Sequence, residues 1–192
     1  MLRLNNKKHG EIAPDRFVPL LEETGLIYSV GEWVIKQVIG FMSSISENNV
    51  TFSINLSALQ CSNQELLDFL EEEIKKSGID PSRLEFEITE TLLINDFLKT
   101  QLFLDKLHSL GCTIALDDFG TGYTSMTYLA KLPIDVIKID KTLVRNIGKN
   151  YNLRSIVNAI VTMSNSLSVK KIFEGVESQS ELEAIIAMNG DI

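Results

Sequence analysis

The sequence predicts an α/β fold built on a parallel sheet, either doubly wound or closed as a (β/α)₈ barrel. Three observations carry that prediction. Five β-patterned runs alternate with helical ones; the links between them are too long for hairpins; and each run places apolar residues on one face and a polar residue near its C-terminal end on the other. Long links imply parallel strands joined by right-handed crossovers. Polar faces are normal in antiparallel sheets but awkward for parallel strands covered by helices. In a barrel that face points inward, and its C-terminal rim is where active sites are assembled from different strands.

In chain order, Met1–Leu4 reads as the tail of a strand, followed by a polar loop from Asn5 to Glu11. Pro14 and Asp15 open a segment that runs to Gly25. From Leu26 to Met42, apolar residues recur at helical spacing, Trp33 among them, and predict an amphipathic helix packed on the core. Val50–Ser57 alternates as a strand. Asn63–Ser77 is a helix stopped by Gly78, with Glu71–Glu73, Lys75 and Lys76 on a solvated face. Arg83–Glu90 is a second alternating strand, and Asp96–Leu110 a helix stopped by Gly111. Cys112–Leu116 is the central strand. Helix Thr124–Lys131, strand Asp135–Asp140, helix Leu153–Leu167, strand Lys171–Glu177 and helix Ser180–Met188 complete the pattern. Phe52, Phe86 and Phe173, like Trp33, are assigned to core packing.

Composition narrows the function. The chain has 192 residues, 44% apolar and 23% charged, which is a globular composition with one sizeable core. No internal repeat, low-complexity stretch or linker divides it, so residues 1–192 are expected to form one domain. A net charge of −8 argues against duplex nucleic acid, whose phosphates need a basic face. A small anionic ligand fits if metal ions offset the local charge. Cys61 and Cys112 form no Cys-x-x-Cys pair, and His9 and His108 give no zinc spacing. That cysteine usage makes a reducing cytoplasm the expected setting. With neither a membrane-length apolar run nor a signal-peptide pattern, the chain itself is expected to be soluble, while a larger parent protein could still be membrane-tethered.

Strand parity gathers the chemistry. Asn55, Glu87, Asp117, Lys138 and Glu174 fall on the polar faces near the C-terminal ends of five strands, and Asp118 joins from the following loop. So many carboxylates at one rim repel one another unless a cation is present, and oxygen donors suit Mg²⁺ or Mn²⁺. Two ions bridged by Asp117 would suit phosphoryl chemistry, with Lys138 orienting water or a phosphate oxygen. Taken alone, Asp117-Asp118-Phe119-Gly120 is equally a polar turn with an Asp capping the next helix.

The segments Asn55-Leu56-Ser57, Glu87-Ile88-Thr89-Glu90, Asp117 to Tyr123, Lys138-Ile139-Asp140 and Glu174-Gly175-Val176-Glu177 occur in an order and spacing that resemble the EAL-domain family of cyclic di-GMP phosphodiesterases. Leu20 to Gly25 resembles it too. The resemblance implies a (β/α)₈-like barrel, Mg²⁺ or Mn²⁺ dependence with two ions, and hydrolysis of cyclic di-GMP to linear pGpG. By motif, Asn55, Glu87 and Asp117 would hold one ion and Asp118 would serve the second. Glu174 would be a metal ligand or general base, and Lys138 would act on the nucleophilic water. Glu90 would steady the loop after the central strand, Arg3 would meet a substrate phosphate, and the loop from Phe119 to Ser125 would couple to a homodimer. Flanking sensory or GGDEF-type domains are the family's usual context.

Two departures are expected to matter. Met1-Leu2-Arg3 aligns with the end of the family's Glu-Ala-Leu signature, so its metal-binding Glu would fall two residues before Met1. The chain also ends before the strand carrying the family's Gln-Gly pair. The barrel is thus expected to be incomplete at both ends. A receptor that binds cyclic di-GMP without cutting it, or an interaction module, is the alternative to the enzyme.

Overall fold

Five parallel strands lie side by side in the order in which they occur along the chain: β3 (Phe52–Asn55), β4 (Leu84–Thr89), β5 (Thr113–Phe119), β6 (Val136–Ile139) and β7 (Lys170–Phe173). A doubly wound sheet reverses its order at a switch point; this one never does. Right-handed crossovers, the general rule for parallel strands, put the helices that connect such an ordered sheet on one face, as in the wall of a barrel. The computed structural model describes residues 2–8, 10–45, 49–92, 96–122 and 126–188.

The helices are α1 (Pro14–Glu23), α2 (Ile27–Ser44), α3 (Gln64–Ser77), α4 (Phe97–Ser109), α5 (Met126–Leu129), α6 (Lys141–Val144), α7 (Tyr151–Ser166) and α8 (Gln179–Ile186). Their ends follow from local chemistry. Pro14 opens α1 where a missing N–H costs nothing. Asn63 caps α3 by accepting from Leu66 N–H at 2.9 Å, and Gly78 closes it at φ 65°, a left-handed turn that a side chain would strain. Asp96 and Asn150 cap α4 and α7 in the same way as Asn63.

The apolar strand faces meet those helices in one core. Ile54, Phe86, Ile88, Ile114, Leu116, Ile137 and Ile139 are buried against Ile35, Ile39, Leu66, Leu70, Leu104, Leu107, Val157 and Val161. Each fully buried side chain of this size contributes roughly 1.5–3 kcal/mol relative to exposure. The solvated face expected on α3 is present: Lys75 pairs with Glu71 and Lys76 with Glu72 one turn away, and Lys106 of α4 also reaches Glu71 at 3.0 Å. Cys61 and Cys112 are buried free thiols whose pKa values burial pushes up to about 12.

Several expectations need correction. The segment expected as a loop from Asn5 to Glu11 is partly paired: β1 (Leu4–Asn6) and β2 (Gly10–Ile12) run antiparallel on either side of a turn at Lys7 and Lys8, held by the backbone ladder rather than by a buried face, and His9 lies outside the described residues. Trp33 is 53% exposed, because α2 buries Ile27, Gly31, Ile35, Ile39 and Met42 and turns Trp33 towards a groove with Val30 and Val34. The central strand extends beyond Leu116 to Phe119, taking both aspartates with it. The helix expected over Thr124–Lys131 spans Met126–Leu129, and Thr124 lies outside the described residues. Helix α6 was not expected at all; Asp140 nucleates it by accepting from both the N–H and the hydroxyl of Thr142.

Candidate active site

The bulge in β5 builds the acidic centre. Leu116 pairs with Ile137 and Phe119 with Ile139, so β5 spends one residue more than β6 over the same stretch. The extra length is absorbed at Asp118, whose φ of 53° lies in the left-handed region. Asp tolerates that conformation better than most residues. Adjacent side chains on a regular strand point to opposite faces. The bulge cancels this alternation, and oxygens of Asp117, Asp118 and Glu174 come within 4.8 Å of one another.

Lys138 organises the remaining members. Its Nζ lies 2.8 Å from Glu174 Oε1, 3.1 Å from Glu87 Oε1 and 3.3 Å from Asp117 Oδ1. Glu87 is held at both oxygens, since Asn55 Nδ2 donates to its Oε2 at 2.7 Å. Five residues predicted from strand parity therefore stand in one connected network, with Asp118 beside it. Burial works against the Lys138 ammonium, yet hydrogen bonds to Glu174 and Glu87 and the charges of Glu87 and Asp117 outweigh it and raise the pKa. Asp118 is pushed up by burial and then by the charges of Asp117, Asp140 and Glu174. One ammonium does not neutralise this group, and all its free donors are oxygen. Such a set fits a hard divalent cation.

Glu90 lies just beyond β4 and is buried. It accepts from Gly122 N–H at 2.7 Å and from Gly120 N–H at 3.3 Å, fixing the backbone that leaves the aspartates. Gly122 is needed for the close approach, because a Cβ there would overlap Glu90 Oε2. Tyr123 to Ser125, the rest of that loop, lie outside the described residues. Arg3 is exposed and pairs with Glu11 of the hairpin at 3.0 Å, and neighbouring Leu2 borders a groove of about 900 Å³ that reaches Asn55, Ser57 and Asp118.

Three supporting groups escaped the sequence reading. Ser53 donates to the buried Glu85 at 2.7 Å, one layer below Asn55 and Glu87. Asp140 places a further negative charge near Asp118. Glu181 accepts backbone N–H groups of Asn146, Glu177 and Ser178, tying the segment after Glu174 to the segment after β6. The Ser178-x-x-Glu181 spacing is a capping-box signature and was legible.

A parallel barrel wall with an oxygen-donor centre on its C-terminal rim puts the candidate site where barrel enzymes assemble theirs. The chain belongs to the EAL domain family, whose model matches residues 1–192. It is 36% identical over 193 residues to the cyclic di-GMP phosphodiesterase PdeR of Escherichia coli K12, covering 99% of this chain and 29% of that protein. Identity is 35% over 186 residues to the bifunctional diguanylate cyclase/cyclic di-GMP phosphodiesterase MucR of Pseudomonas aeruginosa, covering 95% and 27%. Among solved structures, the PaMucR phosphodiesterase in complex with c-di-GMP matches with a TM-score of 0.90 at 34% identity, covering 100% of this chain and 78% of that one. The chain spans about a quarter of the length of the curated relatives it matches. Among the described residues, no helix is long and apolar enough to cross a membrane.

Proposed function

We propose that this chain hydrolyses cyclic di-GMP to linear pGpG with the help of Mg²⁺ or Mn²⁺. The observation that carries the reading is the contact of Lys138 with Glu87, Asp117 and Glu174 beside the Asp117–Asp118–Glu174 group, all at one rim. Asn55, Glu87 and Asp117 would hold one ion, and Asp118 and Glu174 would serve a second. Bound there, divalent ions lower the pKa of water and stabilise charge on the phosphoryl oxygens. The side chains do the rest. Lys138 would orient the attacking water and offset charge at the phosphate, and Glu174, 2.8 Å from Lys138, would take the water's proton if it does not serve as a metal ligand. Glu90 keeps the loop after Asp118 in register. Arg3 is assigned to a substrate phosphate, which requires it to exchange Glu11 for the ligand.

Residues 1–192 are proposed to act as a single EAL-type domain of a larger protein with sensory or GGDEF-type neighbours, working in the cytoplasm as a homodimer. One five-stranded sheet sharing one core with its helices supports the single domain. The match to about a quarter of a bifunctional cyclase/phosphodiesterase supports the neighbours.

Chromatography of cyclic di-GMP incubated with the protein and Mn²⁺ tests the activity. Appearance of pGpG that stops on adding chelator is the expected result. Intact nucleotide from folded protein that still binds it would make the chain a receptor instead.

A further inference from the structure

We infer that Gln60 is a positioning residue for Asn55, and that Gly31 is the glycine that makes room for it. The inference rests on the reading of the rim as a metal-dependent hydrolytic site. Gln60 opens the 3₁₀ turn Gln60–Ser62 just beyond β3 and is 4% exposed. Both ends of its amide are used. Oε1 accepts from Ser57 N–H at 2.9 Å, and Nε2 donates to the Ile27 carbonyl in the first turn of α2 at 3.1 Å.

Where those bonds fall gives them their consequence. The bond from Leu56 N–H to the Glu87 carbonyl, at 2.9 Å, continues the β3–β4 ladder past Asn55. At Ser57 the chain turns away, and the Gln60 side chain supplies the acceptor that a neighbouring strand would have given. Asn55 thus sits on backbone anchored immediately downstream at two successive amides. Its own Nδ2 is fixed on Glu87, so rotation or slippage of this strand end would move an oxygen donor of the centre.

Gly31 shows that α2 is shaped around this contact. It lies inside a helix, where alanine is favoured over glycine by about 1 kcal/mol. A Cβ at this position would overlap the Gln60 amide nitrogen. The atom struck is the tip of a flexible side chain, so Gly31→Ala displaces the amide without unfolding the helix. Two unrelated substitutions, Gln60→Ala and Gly31→Ala, therefore remove the same tether.

The test compares wild type, both single variants and the double variant by three measurements: Mn²⁺ binding by calorimetry, turnover of cyclic di-GMP, and the NMR signal of the Asn55 side-chain amide in chelator. Each single variant is expected to weaken Mn²⁺ binding about 10-fold or more, in the range for partners that orient metal ligands, and to shift the Asn55 signal. Adding Gly31→Ala to Gln60→Ala should cost nothing further, because the new methyl then meets no amide. Unchanged Mn²⁺ affinity and an unmoved Asn55 signal in folded Gln60→Ala protein, whatever its melting temperature, would overturn the inference. If wild type neither binds Mn²⁺ nor turns over cyclic di-GMP, the hydrolytic reading fails. The Asn55 signal then decides the positioning role alone.

Discussion

Lys138 Nζ and Glu174 Oε1 stand 2.8 Å apart, joining β6 to the end of β7 through a charge-assisted hydrogen bond at the centre of the acidic rim. Replacing Lys138 with alanine removes an ammonium in contact with three carboxylates. Turnover should fall about 10²-fold or more, in the range for a group that acts on the proton transfer itself. Affinity for cyclic di-GMP should fall much less. Steady-state kinetics beside equilibrium titration separates the two, and near-normal turnover would remove Lys138 from the chemistry.

Asp117 and Asp118 should respond differently to loss of charge. Asp117→Asn removes the carboxylate that Lys138 contacts, and turnover should drop by about three orders of magnitude with the fold retained. Asp118→Asn keeps a residue that tolerates its φ of 53° while relieving repulsion from Asp117, Asp140 and Glu174. In chelator its melting temperature should equal or exceed that of wild type, and the gain on adding Mn²⁺ should shrink. Calorimetric scans with and without Mn²⁺ measure both effects.

Glu90 holds two loop amides at once. Glu90→Ala should destabilise the protein by about 1–3 kcal/mol, the usual cost of losing a buried charged acceptor, and should lower turnover as well. Glu90→Gln presents an amide NH₂ in place of one accepting oxygen, so it should rescue only partly. Gly122→Ala, which overlaps Glu90 Oε2, should resemble Glu90→Ala. Urea unfolding and activity assays on the three variants check the order.

Glu181 sets an acid limit. Its carboxylate accepts backbone N–H groups of Asn146, Glu177 and Ser178, and these hold its pKa down at about 2. The folded value lies below the unfolded one, so this contribution is fully present above the ordinary glutamate range and is lost as pH falls towards 2. Glu181→Gln should flatten the acid limb of the stability curve while changing neutral-pH activity little. Melting temperatures recorded from pH 7 down to pH 3 give the comparison.

The ring was legible because period-2 alternation assigns faces without knowledge of the partners: Asn55, Glu87, Asp117, Lys138 and Glu174 each fall opposite an apolar set. Strand order was not legible from periodicity, since parallel strands with long links fit both a barrel and a doubly wound sheet; the ordered motifs from Asn55 to Glu177 are what pointed to the barrel. The hairpin Leu4–Ile12 escaped because its ladder is exposed and leaves no apolar period. Trp33 was misjudged because helical spacing marks an apolar face but not what covers it. Gln60 was invisible for a different reason: its role depends on a glycine in another helix, and no local pattern records that pairing.

The sequential strand order also dictates when the rim comes into being. Asn55 and Glu87 are 32 residues apart in the chain and Lys138 and Glu87 are 51, so only the Asp117–Asp118 pair meets locally. Every other rim contact waits for strands to align across an intervening helix, the slow, non-local kind of closure. Mutual repulsion of the carboxylates is then felt mainly after the apolar faces have docked. Charge at the rim should accordingly act on the rate of unfolding more than on the rate of folding, and a cation bound there would work as a latch on the finished barrel wall.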